Sequence, residues 1–179
     1  MPDLWTDPES DPRTYDNPQG EKATYQEYLT NYRLTLRMKG EGLSAEQLAL
    51  RSVPPSNLSL LGLVRHMAAV EHSWFQRVAQ ATGEKPIYWT PDDRDHDFNG
   101  AVGDDETVED AFSTWQREIT KADEWFASVP EADLGRELSR PDGDVVSIRD
   151  MVVHMIEEYA RHCGHADLLR ECIDGRTGQ

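Results

Sequence analysis

The side chains best able to do chemistry gather in one stretch, His-Met-Ile-Glu-Glu-Tyr-Ala-Arg-His-Cys-Gly-His, running from His154 to His165. Glu158 and His162 are four residues apart. On a helix that spacing stacks both side chains on one face, where a carboxylate oxygen and an imidazole nitrogen can converge on a single cation. His154 precedes Glu158 by four residues but His162 by eight, a rise of about 12 Å, so these three cannot share one ion. His162 and His165, three apart, form a second candidate pair. A Glu and a His at this spacing are commonly a solvated, weakly attractive pair, and taken alone the two residues carry that meaning. Two details shift the weight. His162 occupies a place in an apolar stripe, and Glu158 borders that stripe beside Met151 and Met155. Both therefore point inward, and a buried carboxylate is costly unless it is paired or meets a cation.

Other residues weigh less. His66 lies one position off the apolar line of an earlier segment, at helical spacing from Leu63 and Val70. By itself it reads as a satisfied interior histidine, and as a third ligand only if the two segments meet. His72 suits a surface role near Trp74, and His96, within Asp92-Asp93-Arg94-Asp95-His96-Asp97, suits a solvated loop. Cys163 points about 100° away from His162 around the helix and reads as a small core residue. Cys172 lies nine residues further on, about 13 Å along the same axis, too far for a disulfide. Reduced thiols, and with them the cytoplasm, are expected.

The elements that must position these groups are helical. Residues 1–21 are rich in Asp, Pro and polar side chains without any period, so they form an irregular segment that wraps the surface or stays mobile; residues 22–179 form the domain. From Thr24 the steps Tyr25, Tyr28, Leu29, Tyr32 and Leu36 mark a first helix, stopped by Gly40 and Gly42. Ser44-Ala45-Glu46-Gln47 has capping-box spacing and predicts a short helix to about Arg51, before Pro54 and Pro55. A second main helix begins between Ser56 and Ser59, carries Leu60, Val64, Met67, Trp74 and Val78, and closes at Gly83. Residues 84–106 read as a long loop rather than an element; Tyr88, Trp89 and Asp92 make it either a cover for the site or an ordinary acidic surface. A third helix from Thr107 shows Phe112, Trp115, Ile119 and Phe126 on one face and ends by Pro130. Pro141-Asp142-Gly143 centres a small hairpin or a plain turn. Ser147 then caps a fourth helix whose stripe runs from Ile148 to Ile173, with Gly175 placed for a left-handed cap. Four amphipathic helices bury their faces most economically against one another, so the fold class is all-α, a four-helix bundle with a long crossover loop and short extra helix or turn segments.

Composition removes several function classes. The 179 residues suit one domain. With 34 acidic against 18 basic residues the formal net charge is −16, a field that repels phosphate backbones and anionic membranes. No basic stripe with aromatic platforms appears, so no nucleic-acid partner is expected. Neither a signal-peptide pattern nor a long apolar run is present, so no membrane association is expected either. Two-fold association through helix faces, a homodimer, is compatible with such a bundle.

The stretch Ser59-Leu60-Leu61-Gly62-Leu63-Val64-Arg65-His66-Met67 with Val70-Glu71-His72-Ser73-Trp74-Phe75, followed by His154 to Glu171, resembles the DinB-like superfamily, and more narrowly its branch of mycothiol-dependent transferases and isomerases. The resemblance runs from about Thr24 to Gly175. It implies a four-helix bundle binding a divalent metal through one His of the second helix and two ligands of the fourth, which here are His66, Glu158 and His162. Many members have His where this chain has Glu158; the isomerase branch has Glu. Two imidazoles and one carboxylate leave coordination positions open, as expected of a catalytic rather than a structural site. Zinc fits that donor set best, and nickel and iron(II) are compatible with it. The implied function is metal-assisted activation of a small-molecule thiol, mycothiol by resemblance, towards an electrophilic second substrate. The alternative is a non-catalytic metal or small-molecule binder on the same scaffold.

Overall fold

The computed structural model describes residues 5–178. Four long helices build the bundle: α1 (Glu21–Gly40), α3 (Leu60–Glu71), α5 (Asp105–Ser128) and α6 (Ile148–Asp174). Two short helices, α2 (Ala45–Ala49) and α4 (His96–Asn99), lie in the connections, and beyond Glu71 the third helix widens into π-helical turns over His72–Ala79. Strands β1 (Glu137–Ser139) and β2 (Val145–Ser147) pair antiparallel with Leu138 opposite Val146, so the Pro-Asp-Gly segment closes a hairpin. The expected all-α bundle is therefore present, with this two-stranded ribbon as its β structure among the described residues. None of the described helices is long and apolar enough to cross a membrane.

Local chemistry explains most boundaries. Ser44 accepts from Gln47 N–H while the Gln47 side chain accepts from Ser44 N–H, a complete capping box. Ser59, Asp104 and Ser147 cap α3, α5 and α6 through the amides of Gly62, Thr107 and Asp150. Gly175 ends α6 at φ 76°, the left-handed conformation glycine adopts without steric cost. Two starts differ from expectation. Helix α5 opens two residues before Thr107 because Asp104 caps it, and α1 opens at Glu21 because the Glu131 carboxylate, from beyond α5, faces the amides of Glu21 and Lys22 at 3.4 Å.

The N-terminal segment packs rather than drifts. Trp5 is buried, with Lys39 Nζ 3.9 Å and Arg176 3.8 Å from its ring, and Arg13 links Asp11 to Thr35 of α1. Residues 1–4, part of the segment read as irregular, lie outside the described residues.

At the centre a polar chain ties the four helices together. Arg33 of α1 donates to both Glu71 oxygens at 2.7 and 2.8 Å, Tyr159 of α6 donates to Glu71 at 2.7 Å, and Trp115 of α5 donates to the Tyr159 hydroxyl at 2.8 Å. Glu71 and Tyr159 are 0% exposed. Burial, then the Glu71 charge, push the Tyr159 phenol well above its ordinary range, so it stays a donor. Fully paired, such a network fixes how the helices sit against one another; half paired, it would be costly.

Candidate metal centre

Each functional side chain owes its place to one of these elements. Glu158 and His162 lie one turn apart on α6, and His162 Nε2 stands 3.5 Å from Glu158 Oε2. His66, from the middle of α3, brings its Nε2 to 3.9 Å from the same Glu158 oxygen, and its ring centroid lies 4.8 Å from that of His162. One donor atom from each of the three falls within 4.8 Å of the others. Two donors about 2.1 Å from a tetrahedral ion lie about 3.4 Å apart, so the 3.5 Å between His162 and Glu158 matches a common cation, while His66 must draw in for all three to reach it. The donor set, two imidazoles and a carboxylate, fits as well.

Burial and nearby charges act on the candidate residues. His162 is buried, and that burial, followed by the charges of His66, His165 and Arg161, lowers its pKa to about 4. It therefore holds a neutral imidazole near pH 7, the form that binds metals. Its Nδ1 faces His165 Nδ1 at 3.3 Å, leaving Nε2 towards Glu158. The outer oxygen of Glu158 lies 3.5 Å from His154 Nε2, and the His154 ring meets Trp74 edge-on at 4.9 Å. His154 thus touches Glu158 from outside the cluster, in keeping with the eight-residue separation that keeps it off His162.

Residues 84–106, expected to be a loop rather than an element, carry the one-turn helix α4. Tyr88 stacks on Arg65 at 4.0 Å and donates to Asp110, and Trp89 is exposed. The segment's contact with the site comes from α4: Asp97 Oδ2 lies 2.7 Å from His66 Nδ1, and Phe98 stacks on the His66 ring at 4.8 Å and 24°. Buried Arg65 clamps that turn by donating to the carbonyls of Asp97 and His96. Asp97 and Phe98 were not singled out from sequence; an aromatic directly after the acidic run is the signal that could have found them. His96 stands off the cluster, 3.4 Å from Asp93.

One reading is corrected. His72 is 2% exposed rather than on the surface, with Glu118 Oε2 at 3.2 Å from Nδ1 and the Lys85 carbonyl at 3.1 Å from Nε2. A partner on α5 satisfies it inside, which the periodicity of its own helix cannot reveal. Cys163 is the core residue expected, its thiol pushed up to about 12 by burial, and both cysteines are free.

Comparison with known proteins bears on the fold and the family. The solved structure of a conserved protein from Enterococcus faecalis superposes with a TM-score of 0.66 at 12% identity, covering 89% of this chain and 100% of its own. A mycothiol-dependent maleylpyruvate isomerase superposes with a TM-score of 0.53 at 14% identity, over 82% of this chain and 62% of its own. At these identities the likeness is one of fold. No curated protein matches the chain. The mycothiol-S-transferase family model, however, matches residues 24–175, from the first turn of α1 through the cap of α6. By that match, on a DinB-like helical fold, the chain belongs to the mycothiol-S-transferase family.

Proposed function

We propose that His66, Glu158 and His162 hold one divalent cation, zinc by the chemistry of the donors, and that the chain uses it to transfer the thiol of mycothiol to an electrophilic small molecule. The observation that carries this reading is the convergence of three donor atoms from α3 and α6 within 4.8 Å, one of them on a histidine kept neutral by burial. Family membership supplies the thiol. When bound, the ion would supply positive charge that favours thiolate over thiol near neutral pH.

The chain's own groups do the rest. His66 turns Nε2 inward while Asp97 takes its other nitrogen, and Glu158 offers one oxygen inward and one to His154. In the transfer the thiol proton passes to solvent, the sulfur forms a bond to the electrophilic carbon, and the leaving group departs with the bonding pair.

Untagged protein is expected to contain about one metal per chain by elemental analysis, and His162→Ala to lose it. Metal-dependent consumption of mycothiol with a chlorodinitroaromatic is expected of the wild type. Normal metal content in His162→Ala would sink the site, and metal binding without thiol consumption would sink the transferase reading.

A further inference from the structure

Asp97 is held at three points. Its Oδ2 reaches His66 Nδ1 at 2.7 Å, its Oδ1 accepts from Phe98 N–H at 2.9 Å, and its carbonyl accepts from Arg65 Nε at 2.9 Å. A carboxylate only accepts, so a proton of His66 sits on Nδ1 and Nε2 is turned towards Glu158 and His162. The Phe98 ring lies against the same imidazole and fixes its tilt. Phe98 packs closely over Gly62, where a Cβ would come within 3.2 Å of Phe98 Cδ1 and 3.4 Å of Phe98 Cα and press the phenylalanine back by a few tenths of an ångström. His66 consequently stands between two carboxylates, Asp97 on one ring nitrogen and Glu158 on the other. Asp97 is 9% exposed, and a carboxylate so far removed from water is costly unless positive charge or donors lie beside it.

We propose that Asp97 is a positioning residue of the metal centre: it sets the tautomer and orientation of His66, and its charge adds to that of Glu158 to balance a dication. The proposal rests on the metal-binding reading above and extends it to the crossover, whose one-turn helix α4 becomes part of the site. Outer carboxylates that orient a ligating histidine raise metal affinity by about tenfold to a hundredfold.

The test is Zn2+ titration of the full-length, metal-free chain against a chromophoric chelator, with the visible spectrum of the Co2+-saturated protein as a second readout. Asp97→Ala is expected to bind Zn2+ about tenfold to a hundredfold more weakly and Asp97→Asn, which can still accept from Nδ1, by a smaller factor. Both should shift the Co2+ spectrum. Wild-type affinity in Asp97→Ala, or in Asp97→Asn should the Ala variant not fold, overturns the proposal. Weaker binding with an unshifted spectrum assigns Asp97 to loop packing and overturns it too. Failure of the unmodified chain to bind Zn2+ removes the metal site itself, a result distinct from the other two.

Discussion

Replacing Glu71 by Gln tests what holds α3 against α6. Glu71 is 0% exposed and takes two hydrogen bonds from Arg33 and one from Tyr159. Gln keeps the volume but offers a single acceptor oxygen, and its amide N–H groups face donors. Arg33 would retain Asp123, whose side chain is 61% exposed, and a pair so open to water adds little. Stripping a buried cation of its partner costs about 3–5 kcal/mol. With an unfolding entropy of about 2.1 cal/mol/K per residue, a chain of this length should melt about 8–13 °C lower. Urea unfolding at pH 7, followed by far-ultraviolet circular dichroism, measures the loss directly. Arg33→Met combined with Glu71→Leu should lose less than Glu71→Gln alone, because the charge leaves with its partner. A loss below about 1 kcal/mol in Glu71→Gln, the scale of one ordinary neutral hydrogen bond, would refute the reasoning.

Two further outcomes follow from other contacts. Burial raises the Glu118 carboxyl, but the hydrogen bonds and charges of Lys121 and His72 outweigh it, so its pKa lies below the usual value. A carboxyl lowered on folding adds stability that is complete above the ordinary carboxylate range and fades as pH falls through the folded value; the urea midpoint of wild type should thus exceed that of Glu118→Gln most at pH 7, and an equal gap at pH 3.5 would contradict this. At Gly100 a Cβ would sit 2.8 Å from both Arg65 Nη2 and the His96 carbonyl oxygen. Gly100→Ala should therefore displace α4, cost about 1–3 kcal/mol and speed limited proteolysis between residues 84 and 106, and an unchanged cleavage rate would count against the clamp.

What could be read from sequence was what neighbours along the chain decide. Ser44 with Gln47, Ser147 with Asp150 and Gly175 after α6 are contacts made within a turn or two, and each was legible. The start of α1 was not, because its acceptor is Glu131, 110 residues from Glu21. His72 looked superficial for the same reason: the carboxylate that lets it be buried belongs to α5. Arg33 carried no visible signal either, since a buried guanidinium looks like a surface one until Glu71 is known to face it.

The candidate site divides along the same line. The 3.5 Å between His162 and Glu158 follows from helix pitch, whereas the 3.9 Å between His66 and Glu158 depends on how α3 and α6 pack. No periodicity within either helix specifies the second distance; here the resemblance, not the spacing, singled out His66. The structure supplies its physical basis at Glu71, five residues and about 7.5 Å beyond His66 along α3, which bonds Tyr159, the residue next to Glu158. That hydrogen bond pins the two helices within about two turns of the cluster, and the Arg65 clamp on α4 closes its third side. Substitutions at Glu71 or Arg65 should accordingly weaken the site without touching any of the three donors, because they act on the distance that packing alone sets.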